Sequence, residues 1–363
     1  MPSPGAGSTW RGYEVFAVQL TRWLRTAGIE VLMLTGGSTA LSGAERVPRI
    51  ERGSTAAGRI AGALGVRPHT VEHLSFAAGA VGAIRRFGPD AIVASESVLL
   101  ALWRRAARVL GTTRPVHVLT NGGSRRPPFA YADGVIHHAA DLHLAALACE
   151  PAARHTMLAC PVPVPSPDEV AAARAARVSL LDELGVPSRR RVVVVAGSID
   201  RRVKRVDHVV ADLAAVADDL DLHLLLLGAE PKVEAGLVTH CRRAMPGRVA
   251  VREVPFDEMG RYYAAADLHV SASLDEGFGR VFVEAQAWGT PSLVHDTDRA
   301  RQVLGGQGVF VDTTQPGAIA RALPGALDRR PTERARENVA KGSWEALGPR
   351  YVEFIEQVVA GSR

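Results

Sequence analysis

The chain has 363 residues, more than the roughly 250 to 300 at which a single hydrophobic core usually stops growing, so its length predicts two domains. Hydrophobic residues make up 47% of the chain, yet no apolar run reaches the roughly 18 residues that a membrane-spanning helix needs. The first residues carry neither a basic leader nor a cleavage site, and the three cysteines lack metal-ligand spacing. We therefore expect a cytoplasmic protein with free thiols, no bound metal and no cofactor.

The net charge of +5 is unevenly distributed along the chain. Residues 1–165 contain 17 arginines and 10 acidic residues, a net charge of +7, so the remainder carries −2. The arginines of the first half lie in helical patterns without interleaved aromatic residues, which argues against a nucleic-acid partner. An anionic acceptor, a peripheral contact with an acidic membrane surface and ordinary solvated helix faces all fit this pattern, and the last is the commonest.

In the first half, short apolar runs alternate with longer helical patterns, which predicts β-α-β units around a parallel sheet. The predicted strands are 29–35, 91–95, 115–120 and 141–147, and the clearest helix is 13–26. A lobe of this type ordinarily begins with a buried strand, whereas this chain begins at what resembles the loop after it. Either the first strand lies upstream or the sheet lacks one strand.

The proline-rich segment 160–169 fits neither a helix nor a central strand, so we expect a linker over 166–185 between two lobes. From 186 to 340 the alternation restarts and predicts a complete doubly wound lobe. Its six predicted strands are 191–197, 222–228, 249–254, 267–273, 290–296 and 308–312. A helical pattern follows in the last segment, 341–363.

The most informative segment is 271–294, SASLDEGFGRVFVEAQAWGTPSLV, where a buried strand leads through a glycine-containing loop into a helix. The N-terminus of such a helix presents unpaired N–H groups that suit a diphosphate, and Gly277 and Gly279 allow the backbone to approach it. Glu276 and Glu284 flank this point and can accept hydrogen bonds from sugar and ribose hydroxyls. By itself, the pattern of two acids eight residues apart is more often a pair of solvated glutamates at an ordinary strand–helix junction.

The residues around these glutamates add specificity, because EGFGRVFVEAQAWGTP resembles the signature of the retaining family 4 glycosyltransferases of the GT-B fold. The resemblance covers the C-terminal lobe and, more weakly, the first. It implies an α/β architecture of two Rossmann-like doubly wound lobes with a cleft between them. Residues 1–165 would form the acceptor side, 186–340 the nucleotide-sugar donor side, and 341–363 a helix that packs toward the first lobe.

The same resemblance implies a function and assigns roles to residues. The enzyme would act in glycan or glycoconjugate biosynthesis and transfer a hexosyl group, with retained anomeric configuration, from a nucleotide-diphosphate sugar to an acceptor hydroxyl. Glu276 would contact the donor sugar and Glu284 the ribose. The backbone that would line sugar and phosphate belongs to Gly277, Phe278, Gly279, Arg280 and Val281.

A second element, AGSIDRRVKRVDH (196–208), follows the first strand of this lobe. Similar enzymes place a lysine and an arginine here, whose positive charge stabilises the departing diphosphate where no metal does so. Lys204, one of three lysines in the chain, fits the lysine role. The arginine usually follows the glycine directly, where this chain has Ser198, so Arg202 or Arg201 would take its place. A basic loop of this composition is otherwise usually a solvated turn.

In the first lobe, RGYE (11–14) precedes the first helix, and its Gly12 resembles the glycine-rich loop that similar enzymes have near the donor phosphate and the acceptor. Many relatives have a histidine at the end of strand 115–120, beside the transferring sugar. Here that place is taken by Asn121, which can hydrogen-bond a sugar hydroxyl, although a plain Asn-Gly turn explains it about as well. We expect the other histidines to be structural, with His295 beside Asp296 as the one pair near the signature to follow.

Two other functions remain compatible with this sequence. A nucleotide-sugar epimerase on the same fold needs additional acid and base side chains, of which the sequence shows no cluster, and a non-catalytic subunit would retain the donor site without turnover. The intact Glu276, Lys204 and Glu284 favour the transferase. The class of the acceptor stays open between an anionic compound and a lipid-linked one. The basic segment 99–110 and the helix that contains Arg22, Trp23 and Arg25 could meet either an anionic lipid or an anionic acceptor.

Overall fold

The computed structural model describes residues 1–8, 12–37, 41–110, 115–123, 127–228 and 235–362. The chain divides into two compact units, one formed by Met1–Cys160 with Leu347–Arg363 and the other by Pro161–Ala346. Both units combine helices with parallel strands. Within the described ranges, no helix has both the length and the apolar composition needed to span a bilayer.

The first unit contains two parallel sheets. One has the order β1 (Pro2–Ser3), β2 (Met33–Thr35) and β3 (Ala44–Arg46). The other has the order β4 (Ala91–Ala94), β5 (Val116–Asn121), β6 (Gly134–His137) and β7 (His155–Met157). The expected strands 91–95 and 115–120 are confirmed, whereas 29–35 is a strand only over its last three residues.

Helices flank these sheets and alternate with the strands along the chain. They are α1 (Gly12–Thr26), α2 (Thr55–Leu64), α3 (Pro68–Phe87), α4 (Ser97–Leu110) and α5 (Ala140–Leu147). Buried side chains of α3, α4 and the strands β4 to β6 share one apolar core, in which Phe76, Leu99 and Leu119 are fully enclosed.

The expected strand 141–147 is wrong, because these residues form α5. Leu142, Leu144 and Ala146 alternate as they would in a strand. Only Leu142 and Ala146 are buried, one helical turn apart, while Leu144 is 66% exposed. Asp141 lies in the first turn, where its negative charge interacts favourably with the helix dipole. A short alternating run therefore does not distinguish a strand from a helix here.

A strand of only two residues, β1, lies at the start of the chain, where the sequence suggested that the first strand was missing or upstream. Pro2 lies opposite Leu34 of β2, and the amino group of Met1 donates to the carbonyl oxygen of Leu32 over 3.0 Å. Burial, together with the charge of Arg25, lowers the pKa of this amino group to about 5.

A cavity of about 680 Å³ lies at the amino ends of β2 and β4. Its lining is mainly apolar and includes Leu24, Val31, Leu32, Ile84, Ile92, Trp103 and Ile355.

The second unit is built on one six-stranded parallel sheet. Its strands are β8 (Arg191–Ala196), β9 (Leu222–Leu227), β10 (Val249–Arg252), β11 (Leu268–Ser271), β12 (Ser292–His295) and β13 (Val309–Val311), which confirms the six predicted strands. Their order in the sheet is β10-β9-β8-β11-β12-β13. This doubly wound order reverses direction between β8 and β11, the switch point at which ligands bind in such sheets.

The strand β8 shows why this half of the chain could be read from its sequence. Val193 and Val195 pack into the core on one face of the sheet, and Val192 and Val194 pack into the core on the other. A strand that is buried on both faces appears in the sequence as a continuous apolar run.

The helices of the second unit cover both faces of the sheet. They are α6 (Pro167–Ala175), α7 (Arg177–Glu183), α8 (Val206–Ala214), α9 (Ala235–Ala244), α10 (Met259–Ala265), α11 (Arg280–Ala287), α12 (Asp298–Val303), α13 (Ala318–Leu327) and α14 (Glu333–Lys341). The last helix, α15 (Trp344–Ala360), belongs to the first unit from Leu347 onward. There the buried hydroxyl of Tyr351 lies 3.1 Å from His138 Nε2 and donates to the carbonyl oxygen of Ala159 over 3.1 Å.

Candidate active site

Two loops meet at the switch point of the second unit. β8 and β11 are hydrogen-bonded neighbours, so the loop after β8 (197–205) and the loop after β11 (272–279) leave the same edge of the sheet side by side. The hydroxyl of Ser273 joins them by donating to the carbonyl oxygen of Val203 over 2.8 Å. The two sequence elements that carry the predicted donor residues are thus held together.

The ammonium of Lys204 forms an ion pair and hydrogen bond with the carboxylate of Glu276. The exposed fractions of the two side chains are 11% and 18%, so the pair is largely shielded from water but still reaches the surface. These two predicted site residues are 72 positions apart in the sequence. The fold therefore places one cation and one carboxylate in contact at the carboxyl edge of the sheet.

The loop that carries Lys204 is fixed from within by Asp200. Its carboxylate accepts hydrogen bonds from the Ser198 hydroxyl and from the backbone N–H of Val203 and of Lys204, the last over 3.0 Å. Burial alone would raise the pKa of Asp200, but these hydrogen bonds outweigh it and lower the pKa. The backbone around Lys204 is therefore held in place by an ionised side chain.

A glycine leaves room for the lysine. Gly197 has a φ of +121°, and a Cβ on it would lie 2.8 Å from Cε of Lys204. The next strand contributes a second constraint, since a Cβ on Gly228, whose φ is +149°, would lie 1.8 Å from the carbonyl oxygen of Gly197. A side chain at Gly228 would push apart the ends of β8 and β9, and one at Gly197 would displace the side chain of Lys204.

The arginines of this loop differ in their surroundings. Arg202, the first candidate for the second cation, is exposed, and no side-chain partner is seen for it in the part of the chain that the structure describes. Arg205 instead bonds to neighbouring loops, donating to the carbonyl oxygens of Ala272 at 3.2 Å and Thr313 at 3.3 Å. Arg205 is therefore a structural link, and the cationic role of Arg202 stays a prediction.

The predicted donor-binding backbone leads into α11. Gly279 precedes the helix with a φ of +83°, and a Cβ on it would lie 2.6 Å from the ring of Phe282. Arg280 is the first residue of the helix and is buried, as is Phe278, while Val281 is half-buried. Gly277 is half-buried, whereas Gly279 and Arg280 at the start of the helix are buried, so contact of this backbone with an anion stays a prediction.

The ribose candidate Glu284 lies on α11 with two fixed neighbours. Its carboxylate is 3.1 Å from Nη2 of Arg280, whose other nitrogen donates to the carbonyl oxygen of Pro161 over 3.1 Å. The hydroxyl of Tyr263 donates to Glu284 over 3.5 Å. Burial and the adjacent Glu284 raise the pKa of Tyr263 well above its usual value, so it remains a donor. Glu284 is thus oriented from one side and 24% exposed.

Sequence reasoning missed one residue of this site, Arg299 on α12. Its guanidinium donates to the carbonyl oxygen of Glu276, to that of Gly277 over 3.2 Å, and to the carboxylate of Asp275 over 3.2 Å. Arg299 therefore fixes the backbone on which Glu276 is carried. Its position shortly after β12, at the same edge of the sheet, was the available signal.

His295 and Asp296, the pair near the signature to follow, each have a hydrogen-bond partner elsewhere. His295 Nδ1 accepts a hydrogen bond from the backbone N–H of Thr313 over 3.2 Å, while Asp296 makes a bidentate ion pair with Arg301 at 2.6 and 2.8 Å. The contact with Arg301 lowers the pKa of Asp296. His269, by contrast, is a core residue as expected, and burial together with nearby Lys204 lowers its pKa to about 3.

The two candidates of the first unit lie near one another. Gly12 is the first residue of α1 and is exposed, while Arg11 and residues 124–126 lie outside the described residues. Tyr13, directly after Gly12, packs on the turn after β5, where a Cβ on Gly123 would lie 2.5 Å from its hydroxyl oxygen. Asn121, the last residue of β5, is fully buried. Among the described residues, no group of three or more His, Cys, Asp or Glu side chains could hold a metal ion.

Comparison with known proteins gives these features a context. The family model of group 1 glycosyl transferases matches residues 190–329. The chain is 28% identical to the D-inositol 3-phosphate glycosyltransferase of Geodermatophilus obscurus over 52% of this chain and 46% of that protein. It is 30% identical to the protein of the same name from Corynebacterium urealyticum over 48% of this chain and 45% of that protein. The chain thus spans about half the length of the curated relatives it matches.

Solved structures resemble the chain over nearly its whole length. A sucrose-phosphate synthase from Thermosynechococcus elongatus has a TM-score of 0.74 at 18% identity, covering 99% of this chain and 98% of that one. Anabaena HepE, in complex with UDP and glucose, has a TM-score of 0.73 at 16% identity, covering 98% of each chain. At such identities the likeness establishes the fold.

With its two α/β units and these structural neighbours, the chain has the GT-B fold that its sequence predicted. Within that fold, residues 190–329 are similar to the group 1 glycosyl transferases.

Proposed function

We propose that this chain transfers a sugar from a nucleotide-diphosphate sugar to an acceptor hydroxyl, with retention of configuration at the anomeric carbon. The observation that carries the proposal is the ion pair of Lys204 with Glu276 at the switch point of the second unit. A departing nucleotide diphosphate gains negative charge as the glycosidic bond breaks, and a cation fixed beside it lowers the barrier. The adjacent carboxylate can accept hydrogen bonds from the sugar.

The other residues of the second unit take the remaining parts of the donor. The backbone from Gly277 to Val281 faces sugar and phosphate, and Glu284 accepts hydrogen bonds from the ribose. Arg202 is free to turn toward the diphosphate because its side chain is exposed. In this scheme Lys204 exchanges part of its contact with Glu276 for the diphosphate, which releases carboxylate lone pairs for the sugar.

We place the acceptor on the side of the first unit. Gly12 opens α1 beside the turn after Asn121, so Gly12 and this turn act together. Because the side chain of Asn121 is fully buried, its contribution is to hold this turn in place.

The comparisons suggest which substrates to test first. A structural neighbour binds UDP and glucose, so a UDP-hexose is the first donor, and relatives are named for D-inositol 3-phosphate, so that anionic compound is the first acceptor. The net charge of +7 over residues 1–165 suits an anionic acceptor. A cytoplasmic location remains part of the proposal.

The deciding experiment incubates the purified chain with a panel of nucleotide-diphosphate sugars and acceptors and identifies the products by NMR. We expect release of nucleotide diphosphate that depends on acceptor, and a product with the donor's anomeric configuration. Glu276→Gln is the negative control, since it removes the sugar-binding charge. An inverted product contradicts retention. New sugar formed from donor alone would indicate an epimerase, and binding without turnover across the panel would indicate a non-catalytic subunit.

Contact with a membrane is a separate part of the proposal. Binding to anionic vesicles should occur at low salt and weaken at high salt, because charge attraction is screened over about 10 Å at 0.1 M ionic strength. Sedimentation that shows no binding at low salt would favour a soluble acceptor.

A further inference from the structure

A buried row of polar side chains crosses the first unit from β5 to the end of α5. Asn121 Nδ2 lies 3.3 Å from His137 Nδ1, His137 Nε2 lies 3.1 Å from His155 Nδ1, and His155 Nε2 lies 3.2 Å from a carboxylate oxygen of Glu150. We refer to these four residues, Asn121, His137, His155 and Glu150, as the histidine chain. Asn121, His137 and His155 are all buried and Glu150 is half-buried, so each contact is a hydrogen bond largely shielded from water.

The Glu150 end of the histidine chain determines the direction in which its hydrogen bonds run. The Glu150 side chain accepts hydrogen bonds from the Phe129 backbone N–H over 2.6 Å and from Arg154 over 3.2 Å. An ionised carboxylate only accepts, so His155 must carry its proton on Nε2. A neutral His155 then has a bare Nδ1.

The direction of these hydrogen bonds also determines the orientation of the Asn121 amide. A bare Nδ1 on His155 requires the proton of His137 to lie on Nε2, which leaves His137 Nδ1 bare as well. That nitrogen can only accept, so the NH₂ end of the Asn121 amide faces it and the carbonyl end is turned away. The reverse direction would place the lone pair of His155 Nε2 against the carboxylate.

Charged imidazoles are disfavoured in this surrounding. Burial, with the neighbouring His155 and His143, lowers the pKa of His137 to about 4. Burial also lowers the pKa of His155, although Glu150 acts in the opposite direction. At neutral pH the two imidazoles of the histidine chain are therefore neutral and adopt a single tautomeric arrangement.

The Asn121 end of the histidine chain lies at the predicted ligand side of the first unit. Asn121 pairs with His137 along β5 and β6. The backbone carbonyl oxygen of Asn121 accepts a hydrogen bond from the backbone N–H of His138 over 3.1 Å. Gly122 and Gly123 follow directly, packed so closely on His138 and Tyr13 that a Cβ would lie 3.0 and 2.5 Å from their atoms. Gly123 is half-buried, as is Tyr13, whereas Asn121 is enclosed.

We propose that the histidine chain consists of positioning residues for the Gly122–Gly123 turn, and that a substrate hydroxyl contacts this turn and Tyr13 and not the side chain of Asn121. The inference rests on the proposed function, since it assigns the turn a substrate. A side chain held in one orientation by three further buried groups limits the movement of the backbone that follows it. Glycine at both positions lets a ligand approach that backbone.

The first test needs only the wild-type protein. In long-range ¹H–¹⁵N spectra of histidine-labelled protein at pH 7, His137 and His155 should both be protonated at Nε2 and bare at Nδ1. Signals are assigned by comparison with variants in which one histidine at a time is replaced. Either imidazole protonated at Nδ1, or at both nitrogens, overturns the directional chain.

The second test uses Glu150→Gln, which keeps the shape of the far end but replaces one acceptor oxygen by a donor. The amide cannot accept from both Phe129 and His155, so the reverse tautomers should become populated, and the amides of residues 121–123 should exchange hydrogen faster. We expect kcat/KM for transfer to fall by roughly tenfold, as for other small displacements of a positioning group. His143→Phe is the control, because this ring contacts His137 with centroids 5.6 Å apart but lies outside the chain.

The outcomes separate the two levels of the proposal. Altered tautomers with unchanged hydrogen exchange and unchanged kcat/KM would overturn the positioning role. An equal loss in His143→Phe would also overturn it, since general loosening of the core would then explain the effect. If the wild type transfers no sugar from any donor, the proposed function fails, while the tautomers and the exchange at the turn still decide whether the chain positions it.

Discussion

Replacing Arg299 with leucine should weaken donor binding without touching any predicted donor contact. The guanidinium is 16% exposed and donates to the carbonyl oxygens of Glu276 and Gly277, which fixes the loop after β11. Its third contact, with Asp275, contributes little because that carboxylate is 71% exposed. A hydrogen bond from a charged donor contributes roughly 1.5 to 3 kcal/mol, and both carbonyls regain water when the loop opens, so the lower value applies to each.

Together these contacts are worth about 3 kcal/mol of loop order that the donor would have to restore on binding. Since each 1.4 kcal/mol is a factor of ten in affinity, the Kd for a nucleotide-diphosphate sugar should rise by roughly 100-fold. Calorimetry measures this Kd, and hydrogen exchange of residues 272–279 measures the loop. Arg301→Leu is the matched control on the same helix, because its ion pair with Asp296 is about half-exposed. Unchanged affinity and exchange in Arg299→Leu would refute the positioning role of Arg299.

Three further predictions concern binding and stability. Glu284→Ala should weaken nucleotide binding by roughly 1.5 to 3 kcal/mol through lost ribose hydrogen bonds, and an unchanged calorimetric Kd would remove Glu284 from the site. Gly228→Ala should lower the melting temperature because its Cβ would lie 1.8 Å from the Gly197 carbonyl oxygen, whereas Gly236→Ala, in open space on α9, should raise it or leave it unchanged. Burial lowers the pKa of three histidines to about 4, 4 and 3: His137, His223 and His269. Below pH 6.5 the unfolded chain therefore binds protons that the folded chain does not, so the free energy of unfolding should fall between about pH 6.5 and 4, and a flat profile in urea titrations would contradict this.

The fold of the second unit was readable from the sequence because its strands are buried on both faces. Runs such as the valines of β8 leave no ambiguity of period, and glycines mark the strand ends. The first unit offered weaker signals. The segment that forms α5 alternates like a strand over a few residues, and only the burial of Leu142 and Ala146 on one side decides for a helix.

The residues of the candidate site also differ in whether the sequence alone could suggest them. Glu276, Gly279 and Glu284 could be proposed as site residues because they share one local motif, and Lys204 because it follows a recognisable strand. Arg299 escaped notice because its role depends on which distant loop it meets, and the same holds for Arg205, whose partner Thr313 is 108 residues away. The histidine chain likewise requires the pairing of β6 with β7, which no local pattern encodes.

The central claim is that Lys204 stabilises the departing diphosphate, and it predicts a particular kinetic signature. Negative charge grows on the leaving phosphate in the transition state, so a fixed ammonium should lower the barrier more than it tightens ground-state binding. Lys204→Ala should reduce kcat by roughly 10² or more, as loss of other preorganised electrostatic groups does. Lys204→Arg should recover only part of this, because a guanidinium fork does not replace a compact ammonium in a tight site.

The most direct measurement is therefore kcat and KM for the donor in wild type, Lys204→Ala and the control Lys341→Ala, whose lysine is exposed at the end of α14. We predict a large loss of kcat in Lys204→Ala alone, which added magnesium does not fully restore. A Lys204→Ala enzyme with normal kcat and only a raised KM for the donor would show that this lysine binds the donor without stabilising its departure, and would contradict the proposed mechanism.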